Sequence, residues 1–299
     1  MHIRPRLATG HSLPTYAADR DALQPCGGGS IGSSAHSGPS VKYLSELASN
    51  LHLVASFAKR DIRTKYKQTA IGAAWAVIQP LMMMVVFTFV FSMFARVPSD
   101  GLPYPIFAYS VLIFWMFFAA SVTQGTIAMA ANASLVRKIY FPRETLLLAV
   151  IISALLDLVI AATILGGMFA YYQIPIGWTA LWVIPLLGLQ ILIILAVILI
   201  TSAIHVHYRD VGHALPLVLQ LWMYASPIAY PLSSVPDWLL PYYMLNPMAG
   251  IIDGYRSALL HGQHPDISFV MIGLAVAACA VAIAYLVFKR AERTFADVI

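Results

Sequence analysis

Charge is what this sequence has least of. Only 10% of its 299 residues are Asp, Glu, Lys or Arg, while 60% are hydrophobic and the mean hydropathy is +0.78. A soluble globular chain carries roughly a quarter charged residues to cover its surface, so most of this surface must face lipid. Cysteine is almost missing. Cys26 stands in a polar stretch and Cys279 in an apolar run; a disulfide between such unlike surroundings is not expected. No Cys or His cluster has the spacing of a metal site. The motifs H-E-x-x-H and G-x-x-x-x-G-K-[ST] are absent, which leaves no signature of a zinc hydrolase or a nucleotide-binding loop, and G-x-S-x-G occurs only at Gly28–Gly32, in a Gly/Ser-rich run without the apolar strand and helix that a nucleophile elbow needs. The run G-G-G-S-I-G-S-S lacks the Lys-Ser/Thr that a phosphate cradle requires. The first forty residues also lack the apolar centre of a cleavable signal peptide. No catalytic residue is assigned, and no cofactor is expected on this chain.

What is present begins with a stretch rich in Gly, Ser, Pro and Ala over residues 1–40, read as a disordered cytoplasmic tail. The pattern then changes over 41–68. Leu44, Leu47, Leu51, Val54, Ala58 and Ile62 recur at three- and four-residue steps, opposite Lys42, Glu46, Asn50 and Lys59. That is one apolar helical face. The broken apolar run suits a helix lying in the membrane interface or packed on another protein chain. Arg60, Arg63, Lys65 and Lys67 follow and suit anionic headgroups.

From residue 69 to 299 the chain reads as one membrane domain. Crossing the hydrocarbon core takes roughly 20 apolar residues, and six runs qualify, at about 72–95, 104–127, 146–172, 181–204, 214–232 and 269–288. The fifth is interrupted by Pro227 and Pro231. With the N-terminus inside, the inner segments (including a loop at 128–145) hold 16 of the 18 Lys and Arg, all but Arg96 and Arg256. The basic excess therefore reads as the positive-inside signal, with both termini cytoplasmic, and not as a nucleic-acid surface. The last outer segment, 233–268, is apolar but punctuated by Pro and Gly, and carries Trp238, Asn246 and Pro247. It suits either short helices dipping into the outer leaflet or an ordered loop with interfacial anchors.

Few polar residues fall inside the runs. Asp157 lies eleven residues beyond Leu146, about 16 Å along a helix. A carboxylate at that depth faces a bundle interior or a wet pathway; a single one fits a hydrogen-bonding residue between helices better than a proton relay. His205 and His207 flank H-V-H-Y-R-D and read as interfacial polar residues. Aromatic residues such as Phe91, Phe114, Trp115, Phe118 and Tyr224 crowd the ends of spans. They form either a lipid-facing belt or a lining on which sugar rings stack.

Several motifs occur in order: K-R-D-I-R-T-K-Y-K-Q-T-A-I-G-A-A-W-A-V-I-Q-P-L, then L-V-R-K-I-Y-F-P-R-E, H-Y-R-D-V, Y-A-S-P-I-A-Y-P and L-N-P-M-A-G-I-I-D-G-Y-R. Together they resemble the ABC-2 type permeases that export O-antigen, capsular polysaccharide and teichoic acid, over about residues 45–299. The resemblance implies an all-α integral membrane protein with six transmembrane helices, an N-terminal interfacial helix and short re-entrant helices before the last span. It implies a homodimer in the bacterial inner membrane with two ATP-binding subunits, which hold the ATP and Mg, and a lipid-linked polysaccharide as cargo. It also assigns roles. Arg137, Lys138, Ile139, Tyr140, Phe141, Pro142 and Arg143 would dock on the ATPase, with Tyr208, Arg209 and Asp210 as a second contact. Arg60, Arg63 and Lys65 would lie where cargo enters. Phe91, Phe114, Trp115, Phe118 and Tyr224 would line the channel, and Pro227, Pro231, Trp238, Asn246 and Pro247 would belong to a periplasmic gate. An ABC-2 permease for a drug or another lipid stands beside this reading. So does an ion-coupled secondary transporter, which would work without ATP or a partner. A membrane-embedded transferase would need the cluster of carboxylates or histidines that is missing.

Overall fold

The computed structural model describes residues 39–67, 72–138, 141–236 and 238–298, and every regular element among them is helical. Nearly all of the expected tail, together with Ile139 and Tyr140, lies outside the described residues. The order is α1 (Pro39–Lys67), α2 (Trp75–Phe87) continued by a π-helical stretch (Thr88–Phe94), α3 (Tyr104–Ala131), α4 (Ala133–Lys138), α5 (Glu144–Tyr172), α6 (Val183–His207), α7 (Val211–Tyr224), α8 (Leu240–Leu245), α9 (Pro247–Leu259) and α10 (Ile267–Val298).

Among the described residues, five helical stretches are long and apolar enough to cross a membrane: Gly72–Phe94, Tyr104–Ala131, Glu144–Tyr172, Trp178–His207 and Ile267–Glu292. They fall on five of the six expected runs. The other run, 214–232, is not one continuous helix. Its helical part, α7, has 14 residues, about 21 Å, short of the roughly 30 Å hydrocarbon core. The break has a local cause: Pro227 and Pro231 remove two backbone donors, and a residue before proline is pushed out of helical geometry. The expected loop at 128–145 is also shorter than its polarity suggests. Ala128 to Ala131 are strong helix formers, so α3 continues through Ala131, and α5 begins at Glu144.

Helix α3 is the centre of the bundle, buried along most of its length and packed on α2, α5, α6, α7 and α9. With lipid outside, apolar burial drives helix association weakly, and close packing and interhelical hydrogen bonds take its place. Both are present. Gln190 of α6 donates to the Phe114 carbonyl at 2.8 Å and accepts from the Tyr255 hydroxyl at 2.9 Å. Thr126 meets Thr201 at 2.6 Å, and the Tyr109 hydroxyl donates to the Ala161 carbonyl at 3.1 Å. Gly125 lets α3 and α6 touch: a Cβ there would lie 2.8 Å from Ile198 Cγ2. Gly125→Leu is therefore expected to force the pair apart at a cost of about 1–3 kcal/mol. A clearly lowered unfolding temperature of the detergent-purified chain would show it; an unchanged one would mean the helices yield freely.

These contacts orient the bundle. The C-terminal ends of α3, α6 and α10 gather with the starts of α5 and α7; we call this the basic end. The starts of α3, α6 and α10 gather at the opposite end.

Candidate functional site

A cavity of about 650 Å³ opens on the side of the bundle between the end of α1, α2, α3, α5 and α7. Much of its wall is apolar, with Trp75, Met83, Trp115 and Met116. Set into that wall are Gln79 of α2, Thr123 and Gln124 of α3, Asp157 of α5 and Gln220 of α7. Gln79 and Gln220 are exposed on the subunit surface although the residues flanking them in α2 and α7 are apolar. An amide without partners in hydrocarbon costs several kcal/mol, so this flank is built to meet water, a polar ligand or another polypeptide.

Asp157 is the only carboxylate between the ends of the five long helices. It forms an ion pair with Lys65 and accepts a hydrogen bond from the Tyr66 hydroxyl, both from the last turn of α1. Burial, with the neighbouring Asp157 carboxylate, pushes the Tyr66 hydroxyl well above the usual tyrosine range. Asp157 is thirteen residues beyond Glu144, about 20 Å along α5. At its other contact, Phe57 of α1 packs on Phe141 with ring centroids 5.6 Å apart, just before α5 begins. Helix α1 thus touches α5 at two levels, near its start and near its middle. Of the residues expected where cargo enters, only Lys65 lines the cavity; Arg60 pairs with its neighbour Asp61 at 3.0 Å and Arg63 is exposed.

At the basic end, α4 presents Arg137 and Lys138 outward, and Pro142 is exposed. The turn Tyr208–Arg209–Asp210 is exposed too, joined by its own backbone bonds to the start of α7, where Gly212 approaches Ile127 of α3. Two residues of the expected docking set are held inside the subunit instead. Phe141 is buried against Phe57. Arg143 donates to the Glu292 carbonyl, pairs with the Glu292 carboxylate at 3.8 Å and stands 5.4 Å from the Phe295 ring centroid. Lys289 adds bonds to Glu144 at 2.5 Å and Glu292 at 2.9 Å. This network braces α10 to the start of α5.

The opposite end solves a backbone problem. After α7 the chain runs through Ser226–Pro227–Ile228–Ala229–Tyr230–Pro231 without regular hydrogen bonds, and its carbonyls need donors. Arg256 of α9 supplies two, to Ile228 at 3.1 Å and Tyr230 at 3.2 Å, and Tyr104 of α3 supplies one to Ala229 at 2.8 Å. The guanidinium carbon lies 3.9 Å from the Phe107 ring centroid, and Arg256 is only 2% exposed. Burial draws its pKa down to about 10, so it stays charged at neutral pH. Asn246 caps α9 by accepting from the Met248 amide at 3.1 Å. It also accepts from the Trp222 indole at 3.0 Å and donates to Ser226 at 3.1 Å, which ties the end of α7 to the start of α9. Pro227 and Pro231 are buried in this assembly, Pro247 opens α9, and Trp238 is exposed.

The aromatic residues expected to line a channel separate into three groups. Trp115 lines the cavity. Phe114 is stacked on Tyr255 at 3.8 Å and Phe118 is enclosed against Trp222 at 5.1 Å, so both serve the subunit core. Phe91 packs edge-on against Phe87, and Tyr224 is half exposed at the end of α7. Sequence reasoning passed over the three glutamines, Tyr66 and the bonds of Arg256. The glutamines were visible as I-Q-P, T-Q-G and L-Q-L within apolar runs, and Arg256 as a lone charge in an apolar segment.

Residues 52–260, more than half of the chain, match the family of ABC-2 type transporters. The chain belongs to that family. Among its relatives is the O-antigen export system permease protein RfbA of Myxococcus xanthus, 28% identical over 261 residues, covering 86% of this chain and 99% of the relative. An O-antigen export system permease protein RfbA of Klebsiella pneumoniae is 26% identical over 266 residues, 87% of this chain and 100% of its own. More distant is the polysialic acid transport protein KpsM of Escherichia coli, 21% identical over 213 residues, 68% of this chain and 79% of the relative. An ABC-2 protein of this kind is a multi-pass membrane permease that works with ATP-binding subunits.

Proposed function

We propose that the chain is the permease subunit of an ATP-driven exporter that carries a lipid-linked polysaccharide, O-antigen foremost, across the inner membrane. Two copies act with two ATP-binding subunits, which hold the ATP and Mg. The observation that carries this reading is the match to two O-antigen export permeases over 86% and 87% of this chain and nearly all of theirs. The geometry supports it: the polar flank formed by Gln79 on α2 and Gln220 on α7 suits one half of a hydrophilic path closed by a second copy. The broken segment 211–233 runs from the basic end to the residues around Tyr104. Counted as a sixth crossing, it returns the C-terminus to the side of the N-terminus and keeps the basic residues cytoplasmic. Non-helical backbone is tolerated at that depth because protein donors serve it.

In this reading Arg137, Lys138, Pro142 and the 208–210 turn face the ATPase, with Ile139 and Tyr140 between them in sequence. Pro227, Pro231, Asn246 and Pro247 form the outer gate. The test is deletion of the gene in its own strain. Surface polysaccharide should disappear and return when this chain is supplied together with its ATP-binding partner, but not with a partner unable to hydrolyse ATP. Normal surface glycan in the deletion strain would exclude the reading. Transport by the chain alone under an ion gradient would favour a secondary transporter.

A further inference from the structure

The Lys65–Asp157–Tyr66 cluster has the form of an occupied anion seat. One ammonium and one phenol hydroxyl converge from the end of α1 on a single carboxylate, inside a cavity whose remaining wall is largely apolar. A charge within a membrane domain needs an opposite charge beside it, and each partner here satisfies the other. The cluster is also where α1 meets the middle of α5, while Phe57 packs on Phe141 near the start of α5. Whatever displaces Asp157 from both Lys65 and Tyr66 weakens the hold of α5 on that end of α1.

We propose that Asp157 is a built-in substitute for the phosphate group of an amphiphilic ligand. It holds Lys65 and Tyr66 in place while the cavity is empty and yields them when a phosphate-bearing lipid enters. The chemistry favours this class of ligand. A diphosphate offers more negative charge and more acceptor oxygens than one carboxylate, so it competes for the same ammonium and hydroxyl. Its hydrocarbon chain fits the wall formed by Trp75, Met83, Met116 and Met223. The consequence is a selectivity device: an anion too weak to displace Asp157 leaves α1 docked, and ordinary anionic lipids are rejected by competition. The inference rests on the reading that the cargo is lipid-linked.

Trp75 and Trp115 line the cavity, so their fluorescence reports on its occupancy. The experiment uses the full-length chain in phosphatidylethanolamine nanodiscs, titrated with a polyprenyl diphosphate, with inorganic pyrophosphate and with phosphatidylglycerol. Asp157→Asn keeps the shape and removes the competing charge. It is expected to lower the half-saturating polyprenyl diphosphate about tenfold and to make phosphatidylglycerol visible as a ligand. Lys65→Gln is expected to raise the half-saturating concentration about tenfold, and adding Asp157→Asn to it should bring no recovery. Equal saturation by free pyrophosphate would overturn the lipid source. Binding by Asp157→Asn that is unchanged or weaker would overturn the role of Asp157 alone, since wild-type binding would still stand. A wild-type chain that binds no polyprenyl diphosphate would remove the lipid-linked cargo with it. A matched unfolding temperature for wild type and Asp157→Asn separates a change in binding from loss of fold.

Discussion

Arg256→Met should abolish export and lower the stability of the purified chain by about 3–5 kcal/mol. The substitution keeps most of the side-chain volume, so the effect isolates the guanidinium. Its loss leaves the buried Ile228 carbonyl and the partly buried Tyr230 carbonyl without their donors. Each buried orphan costs about 1–3 kcal/mol, and the lost contact with the Phe107 ring adds roughly 0.5–2 kcal/mol. A neutral interhelical bond is worth much less, about 0.6 kcal/mol on average, so Tyr104→Phe, which frees only the Ala229 carbonyl, should shift the unfolding temperature slightly. Arg256→Lys should fall between them, because one ammonium cannot fork to two carbonyls two residues apart. The lowered pKa of Arg256 works against the fold at neutral pH, since the unfolded chain holds the same proton more tightly. Methionine relieves that desolvation cost, so the expected loss comes from the orphaned carbonyls and the missing contact with Phe107. Thermal unfolding in detergent and surface-glycan staining together check this. Full export by Arg256→Met would show that the 226–231 backbone finds other donors.

The long helices were legible because length and apolar content alone define a crossing. The break in the 214–232 run was legible as two prolines. Its remedy was not, because the donors stand far off in sequence, at Tyr104 and Arg256, and proximity of that kind is a tertiary fact. Facing was the other blind spot. Helices α3, α5 and α6 are apolar all round, and such a helix carries no pattern that says which side meets protein. Phe114 and Phe118 therefore read the same as Trp115, though only Trp115 reaches the cavity. Asp157 stood out as a single acid, but its partners come from α1, at Lys65 and Tyr66. In the loop before α5 the sequence offered three equivalent basic residues. The fold distinguishes them, turning Arg137 and Lys138 outward while α10 engages Arg143.

That distinction separates two charge reversals within one loop. Arg137→Glu with Lys138→Glu should leave the chain folded, since both side chains are exposed and their loss opens no cavity. Against an acidic partner surface, reversing two rim charges is expected to cost about 3 kcal/mol, roughly a hundredfold in affinity. The ATP-binding subunit should then fail to co-purify at working concentration, and surface polysaccharide should be lost. Raising the salt should weaken the wild-type complex in the same direction, because rim pairs are screened. Arg143→Glu should behave differently. It would set a carboxylate against Glu292 and strip the Phe295 ring of its cation, so the purified chain itself should unfold at lower temperature. If the double reversal leaves co-purification and export intact, α4 is not the docking element. If Arg143→Glu loses the partner but keeps its unfolding temperature, the brace to α10 is dispensable and Arg143 belongs with the rim. The two variants therefore test whether force from the ATPase enters through exposed charge or through the α5–α10 brace behind it.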